Sequence, residues 1–197
     1  MKFCTQCGRP VMRRIPENDS RERYVCGACD TVHYENPRNV VGTIPIWQDQ
    51  IMLCRRAIEP RYGYWTLPAG FMEIGESPQA GAARETLEEA GVQVQIGELF
   101  ALVNATYAQQ LHLFYLAKMP SQHYLGGVES LEVQLFDEVD IPWSELAFQT
   151  SYHALKLFLA DRARGLFSSD GLTGQFRPHM LDLTKPILPA TLVAANC

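Results

Sequence analysis

The chain has 197 residues, which is enough for one full-sized domain and a small module. An apolar content of 47% excludes a disordered chain, and a formal net charge of -5 disfavours broad binding to nucleic acid or to an anionic membrane. No apolar run approaches the length of a membrane span, and Cys4 comes too early for a signal segment. We therefore expect a cytoplasmic protein with neither nucleic acid nor membrane as a partner.

Four of the six cysteines form two C-x-x-C pairs near the N-terminus. The pairs are separated by 18 residues and consist of Cys4, Cys7, Cys26 and Cys29. Residues 1–36 hold too few large apolar side chains for a stable core, and four thiolates on a tetrahedral Zn²⁺ would supply the missing stability. The spacing therefore predicts a zinc ribbon over 1–36, with two disulfides or four free thiols as the alternative. Cys54 is expected to be a buried small side chain, and Cys197 to lie in a disordered terminus.

Beyond Asn36-Pro37, which marks a boundary, the chain is predicted to be mainly β structure. Period-2 alternation and turn residues predict strands over residues 40–47, 51–55, 64–67, 92–96, 99–104, 111–118 and 134–136.

Two helices are predicted among these strands. The first begins at Pro78 after the cap residue Ser77 and ends at Gly91. Its inward stripe is predicted to consist of Ala80, Ala83, Leu87 and Ala90, with carboxylates outward. The second helix spans 151–164, and residues 166–197 are predicted to be an irregular tail packed on the domain or on a second subunit.

The segment around the first helix concentrates acidic residues. Its five glutamates are Glu73, Glu76, Glu85, Glu88 and Glu89. The last three stand at i, i+3 and i+4 and share one helical face, where like charges repel by roughly a few tenths of a kcal/mol per exposed pair. Mg²⁺ or Mn²⁺ reverses that interaction, because hard cations prefer carboxylate oxygens and also hold phosphates. The segment therefore predicts a metal-phosphate site, and a solvated acidic face is the alternative.

The same segment resembles a known motif. It is similar to the Nudix box in the pattern Gly70-x5-Glu76-x7-Arg84-Glu85-Thr86-x-Glu88-Glu89-x-Gly91-Val92. One position departs, because Thr86 stands where that family usually has an aliphatic residue. The resemblance implies an α+β fold, with an α/β/α sandwich over 37–165 between the ribbon and the tail. It also implies hydrolysis of a nucleoside diphosphate linked to another moiety.

The zinc ribbon narrows the substrate classes that the resemblance implies. Nudix enzymes with such a ribbon include NADH pyrophosphatases and a group similar to FAD and ADP-ribose pyrophosphatases. The NADH type carries a SQPWPFP-like segment after the box, whereas residues 104–110 contain neither its prolines nor its Trp. The resemblance therefore favours FAD or ADP-ribose, cleaved with release of AMP, and NADH is the alternative.

A further alternative is a non-catalytic Nudix module that binds a nucleotide or RNA. The complete set of box glutamates disfavours a module without turnover. The ribbon segment has six basic and five acidic residues, which disfavours RNA binding.

Candidate metal ligands follow from the glutamates and from the resemblance, which alone supplies the glycine. They are Glu85, Glu88, Glu89, Gly70 and Glu76, holding Mg²⁺ or Mn²⁺. Arg84 can pair with Glu76 and fix the loop against the helix. The general base is either Glu85 or an acidic residue of the loop 126–132. The resemblance favours Glu132, with Glu129 second, and a solvated loop charge is the alternative for both.

Substrate recognition is only outlined by the sequence. Aromatic candidates for stacking on a base are Tyr62, Tyr64, Trp65, Tyr107, Phe114 and Phe148, most of them expected in the core. Arg55 and Arg56 could meet a phosphate or lie on the surface. The five histidines show no ligand spacing and are interpreted as incidental. The expected partner is a small nucleotide, and the ribbon is expected to be structural or to form a homodimer.

Overall fold

The computed structural model describes residues 1–168 and 171–185, so Cys197 lies outside the described residues. The chain divides into two compact units, Met1–Pro37 and Arg38–Cys197, and each is described by itself. None of the helices in the described part of the chain is long and apolar enough to cross a membrane.

The first unit is a small antiparallel sheet of three strands. They are β1 (Val11–Arg14), β2 (Arg23–Cys26) and β3 (Val32–His33). Val11 lies opposite Cys26 in the register, so the cysteine-bearing end of β2 is next to the start of β1. Val25 and Cys26 are among the few buried side chains of this unit. So little buried apolar surface fits the predicted dependence on cysteine chemistry.

The second unit is a mixed sheet with two helices. Its strands are β4 (Arg38–Trp47), β5 (Gln50–Arg56), β6 (Trp65–Thr66), β7 (Ala69–Phe71), β8 (Gln95–Ala105), β9 (Gln110–Lys118), β10 (Ser130–Phe136) and β11 (His179–Leu183). Its helices are α1 (Pro78–Ala90) and α2 (Gln149–Ala163). The α+β class predicted from the sequence is confirmed.

The sheet forks at β4, and the fork positions the site. The strand order is β10-β5-β4-β9-β8-β11. β5 pairs with β4 only beside Ile46 and Trp47, at one end of β4. At the other end β4 pairs with β7, where Val41 lies opposite Gly70. The segment that leads into the glutamate-rich helix is therefore held at the centre of the sheet.

The two helices cover opposite faces of the sheet. Successive side chains of a strand point to opposite faces. Thr43 on β4 bonds to Thr86 of α1, with 2.7 Å between the hydroxyl oxygens. Its neighbour Ile44 belongs to the main core cluster, which also contains Leu155 and Phe158 of α2. This arrangement is the α/β/α layering that the resemblance implied.

Helix α1 has the predicted ends but not the predicted buried face. Ser77 caps it by accepting a hydrogen bond from the Ala80 N–H at 3.2 Å, and Gly91 ends it in the left-handed conformation. The predicted stripe was wrong in part. Ala80 and Leu87 are exposed, and the buried residues are Gly81, Ala82, Thr86, Glu89 and Ala90. Small residues at this face let α1 approach β4 closely, and Thr86 adds hydrogen bonds to Thr43 and to the Ala82 carbonyl.

The remaining differences from the sequence-based strands and helices have long-range causes. One continuous strand, β8, replaces the predicted strands 92–96 and 99–104, and its pairing with β9 shifts register within that stretch. Helix α2 begins at Gln149, and Ser151 lies inside it with its hydroxyl 3.0 Å from that of Thr66.

The predicted tail is not irregular throughout. It contributes β11, which lies parallel to β8. His179 on β11 contacts the buried carboxylate of Asp161 in α2 at 2.8 Å, which ties the strand to that helix. The boundary predicted at 165/166, like the one at 36/37, stays a prediction.

Candidate active site

Arg84 organises the loop that precedes α1. Its guanidinium donates to both carboxylate oxygens of Glu76, at 2.8 and 3.1 Å, and to the Phe71 carbonyl at 3.1 Å. It also donates to Glu85 at 2.7 Å and to Glu88 at 3.0 Å. The hydrogen bonds from Arg84 lower the pKa of Glu76 to about 2. Glu76 therefore forms an ion pair with Arg84, as predicted from the sequence. It is not among the residues that line the cavity described below.

Glu85 is packed against the backbone of β7. A Cβ added at Gly70 would overlap the Glu85 carboxylate, so the glycine lets this carboxylate lie directly against the strand. Burial is the main cause that raises the pKa of Glu85 above its ordinary value, and the hydrogen bond from Arg84 opposes it.

Glu89 is buried beside it, at 7% exposure. Its Oε2 accepts a hydrogen bond from the Ala69 N–H at 3.2 Å. Burial, followed by the neighbouring Glu85 charge, raises the pKa of Glu89 to about 8. The prediction that the helix carboxylates face outward is wrong for Glu89. It is held inside by contact with the β7 backbone.

These groups fit a divalent cation by the chemistry of their donors. Two crowded, partly desolvated carboxylates gain from a positive charge between them, and carboxylate and carbonyl oxygens are the ligands that Mg²⁺ prefers. The residues that would hold it are Glu85, Glu88, Glu89 and the Gly70 carbonyl. In the structure Arg84 Nη1 donates to one carboxylate oxygen each of Glu85 and Glu88, so these two carboxylates already share one positively charged partner.

A cavity of about 840 Å³ opens beside α1. One part of its lining is acidic and consists of Glu59, Glu73, Glu85, Glu88, Glu89 and Glu129. Another part is aromatic or polar and includes Arg56, His112, Phe114, Phe148, Thr150 and Ser151. The Arg56 guanidinium lies 5.0 Å from the centre of the Phe148 ring. The cavity therefore offers metal-binding oxygens, the arginines Arg56 and Arg84 and flat aromatic surfaces together.

The two candidate bases lie in different places. Glu129 lines the cavity, whereas Glu132 does not. The Glu132 carboxylate faces Arg55 across the paired strands β10 and β5, with 3.6 Å between the charged atoms. The geometry therefore favours Glu129 over Glu132, the reverse of the order that the resemblance suggested.

A backbone contact holds the Glu129 loop at the C-terminal end of α1. The Leu125 N–H donates to the Ala90 carbonyl and the Gly127 N–H to the Glu89 carbonyl, both at 3.0 Å. A Cβ added at Gly127 would collide with the Glu88 carbonyl oxygen. Glycine is required here because the loop and the helix backbone touch directly.

The remaining candidates from the sequence divide between cavity and core. Phe114, Phe148 and Arg56 line the cavity, and Trp65 is a core residue that also contacts Phe136 edge-on. The other predicted residues, Tyr62, Tyr64, Tyr107 and Arg55, are not among the lining residues. His112 was expected to be incidental, but it lines the cavity. The predicted strand 111–118 could have indicated that His112 lies beside Phe114, since residues two apart share one face of a strand.

The four paired cysteines of the first unit come together. Their ligand atoms all lie within 4.8 Å of one another. The sulfur atoms of Cys4 and Cys29 are 3.7 Å apart, and those of Cys7 and Cys26 are 3.5 Å apart. These distances are too long for the roughly 2.05 Å of a disulfide. They fit sulfurs at the corners of a tetrahedron with Zn–S bonds of about 2.3 Å. The cluster therefore suits a structural Zn²⁺, and the disulfide alternative does not fit it.

Comparison with known families agrees with both units. Residues 2–35 match the zinc-ribbon family described as Nudix N-terminal, and residues 36–144, more than half of the chain, match the NUDIX domain. The chain belongs to the Nudix family. The Nudix match includes β7, α1 and the Glu129 loop, so the resemblance carried by the box is confirmed.

Nudix proteins named NAD-capped RNA hydrolase NudC are among the relatives of similar sequence. That of Vibrio atlanticus is 28% identical over 148 residues, which is 72% of this chain and 51% of the relative. That of Stutzerimonas stutzeri is 27% identical over 164 residues, which is 82% of this chain and 57% of the relative. The chain spans about half the length of these relatives.

Two solved structures support the fold. A NUDIX hydrolase from Nitrosomonas europaea is 45% identical, covers 94% of this chain and 100% of its own, and has a TM-score of 0.86. An ADP-ribose pyrophosphatase from Streptococcus suis is 19% identical, with a TM-score of 0.57 over 75% of this chain. At that identity the second structure supports the fold alone.

Proposed function

We propose that this Nudix hydrolase cleaves the pyrophosphate bond of a dinucleotide with the help of a divalent cation, and that NADH is the first substrate to test. The observation that carries the proposal is the cavity of about 840 Å³, in which Glu85, Glu88 and Glu89 face Arg56 and the aromatic lining. This volume is in the range of small-molecule sites, and these residue types match a charged diphosphate joined to flat bases.

The choice of NADH corrects the order of substrates expected from the sequence. FAD or ADP-ribose was favoured because residues 104–110 lack the prolines and the Trp of the NADH-type segment. The relatives described above bear the name NAD-capped RNA hydrolase, which supports the NAD-type alternative instead. FAD and ADP-ribose remain the second candidates, because residues 104–110 lack the prolines and the Trp of the NADH-type segment. A short NAD-capped RNA also belongs among the substrates to test, although we expected no nucleic-acid partner.

The residues of the cavity suggest how the bond is broken. A bound divalent cation would neutralise the diphosphate and acidify a water molecule. Glu85, Glu88 and Glu89 would hold that cation, and Arg84 would keep the first two oriented. Glu129, on the loop at the cavity, would take the proton from water as its oxygen attacks phosphorus. The bond from that phosphorus to the bridging oxygen then breaks, which leaves two mononucleotides, one of them AMP.

A substrate panel tests the proposal. NADH, NAD, FAD and ADP-ribose are each incubated with Mg²⁺ or Mn²⁺, and AMP release is measured. For NAD-capped RNA the release of nicotinamide mononucleotide is measured instead, because the adenosine stays in the RNA chain. In Glu85→Gln we expect kcat to fall about 10²- to 10⁴-fold because a charged ligand is lost. The matched control is Glu98→Gln on β8, an exposed carboxylate outside the cavity lining, which should keep wild-type turnover. Near-normal turnover in Glu85→Gln would contradict the site.

The same assay separates the two candidate bases. Glu129→Gln should lose most of kcat. Glu132→Gln should lose little, because Glu132 and its ion-pair partner Arg55 both lie outside the cavity lining. The opposite result would restore the order that the resemblance suggested. A homodimer stays a prediction, which the molar mass in solution tests.

A further inference from the structure

His112 is a buried polar side chain with an unused hydrogen-bonding atom. It lies on β9, lines the cavity and is 9% exposed. Its Nε2 is 2.9 Å from Oε1 of Gln110. Its Nδ1 is buried and has no partner among the described residues. An unsatisfied buried polar atom costs free energy, so a fold that retains one at a cavity wall calls for a physical reason.

The contact with Gln110 decides what Nδ1 can bind. Burial lowers the pKa of His112 to about 4, so the ring is neutral near pH 7. A neutral imidazole carries one N–H, and the carbonyl oxygen of Gln110 accepts it from Nε2. Nδ1 is then left with a lone pair, which can accept a hydrogen bond and cannot donate one.

The surroundings of the ring are flat and apolar. Phe114, two residues further along the same face of β9, lies nearly parallel to His112, with 6.1 Å between ring centres and 29° between planes. Val40, opposite His112 on β4, and Phe71 of β7 also line the cavity. An apolar aromatic wall with one acceptor suits a planar heterocycle that has an N–H at its edge.

We infer that His112 selects the base of the substrate: its Nδ1 accepts an N–H from the exocyclic amine of adenine or from the carboxamide of nicotinamide, while the ring packs against Phe114. This inference rests on the proposed function, since it concerns a base of the same dinucleotide. A base with a carbonyl oxygen in place of the amine would put two acceptors together and would bind poorly. Adenine and nicotinamide offer the same chemistry here, an NH₂ group attached to a planar ring system.

Two analogues of NADH distinguish the sources. In the reduced hypoxanthine dinucleotide a carbonyl oxygen replaces the adenine amine. In the reduced 3-acetylpyridine dinucleotide a methyl ketone replaces the carboxamide. We expect the wild type to lose about 10- to 100-fold in kcat/KM with one of the two, mainly through KM, because a hydrogen bond to a buried acceptor is lost. The analogue with the lower kcat/KM identifies the base that binds at His112.

The variants His112→Phe and His112→Leu test the assignment. Both should process NADH and that analogue at similar kcat/KM, while the control His153→Phe, on α2 and outside the cavity lining, should keep the wild-type ratio. Two variants are used in case one fails to fold, which circular dichroism would show. An unchanged ratio in a folded His112 variant, or a wild type that does not discriminate, would overturn the inference.

Binding of mononucleotides keeps this test apart from the test of the proposed function. Titration calorimetry compares AMP with inosine monophosphate, and nicotinamide mononucleotide with its nicotinic acid counterpart. The wild type should bind one amine- or amide-bearing partner about 10-fold more tightly, and His112→Phe should not. If the wild type cleaves no dinucleotide, the proposed function fails, and this preference still decides the role of His112. Equal affinities in the wild type would overturn it.

Discussion

At the scale of single residues, two glutamates near the candidate site have very different partners. Glu76 is held by Arg84 and has its pKa lowered to about 2, whereas Glu89 is buried near another carboxylate and has its pKa raised to about 8. The first group therefore stabilises the loop as an anion. The second is destabilised as an anion until a cation compensates it. The loop before α1 thus carries a structural carboxylate, whereas α1 itself carries a carboxylate that a bound cation would stabilise.

His112 allows a prediction on pH dependence. Its pKa is about 4 in the folded protein and about 6.5 in an unfolded chain. Between these values the unfolded state binds the extra proton and the folded state does not. The free energy of unfolding should therefore fall as the pH is lowered from about 6.5 to about 4. The contribution of this one group is at most about 1.4 kcal/mol per pH unit.

The measurement is denaturant unfolding of wild type and His112→Phe across that pH range. The free energy of unfolding of the wild type should fall relative to that of His112→Phe towards pH 4, because the variant lacks the proton-linked loss. Glu89 also titrates in the range, but it is present in both proteins and cancels in the difference. Parallel pH profiles would show that the pKa of His112 is not lowered on folding.

At the scale of elements, the contact between α1 and the loop 124–129 sets the geometry of the cavity. Backbone N–H groups of the loop donate hydrogen bonds to the Glu89 and Ala90 carbonyls at the end of the helix. These bonds hold the loop where Glu129 lines the cavity. The Ala57 N–H donates to the Glu129 carbonyl at 2.8 Å and holds the other side of the loop. The loop that bears the proposed base, Glu129, is thus fixed by backbone contacts on two sides.

Gly127→Ala should disturb this contact. The added Cβ would overlap the Glu88 carbonyl, so the loop must move away from α1 and take Glu129 with it. We expect kcat to fall at least about 10-fold and stability to fall by about 1–3 kcal/mol. In the control Gly126→Ala the nearest atom, the Ser130 carbonyl oxygen, lies 3.3 Å from the new Cβ, and a small shift accommodates it. Equal kinetics in the two variants would show that the loop position does not matter.

The elements also show what the sequence could and could not predict. The ends of α1 were predicted because Ser77, Pro78 and Gly91 act through local backbone chemistry. Its buried face was partly wrong because that face is set by β4, where Thr43 meets Thr86. The strand β11 was missed because its partner β8 lies far away in the sequence. The box glutamates were identified by spacing, whereas His112 and Gly127 reach the cavity only through contacts that the fold creates.

At the scale of the whole molecule, the two units are stabilised by different means. The Arg38–Cys197 unit has a large apolar core that includes Phe100, Phe114 and Phe158. The Met1–Pro37 unit has only a small sheet, and its four thiols are grouped at tetrahedral distances. The free energy of folding of the second unit comes from burial, while that of the first should come largely from metal binding.

Removal of zinc should therefore unfold residues 1–37 selectively. After chelation and return of Mg²⁺, backbone amides of β1 and β2 should exchange with solvent freely, because the ribbon loses its ligand-derived stability. Amides of β4 and β9 should stay protected by the apolar core. Hydrogen exchange with mass spectrometry, alongside measured zinc content, checks this. Cys7→Ser should reproduce the loss of zinc and protection, whereas Cys54→Ala, at a buried site of the other unit, should keep one zinc per chain. Protected β1 and β2 in zinc-free protein would mean that the ribbon folds without its metal.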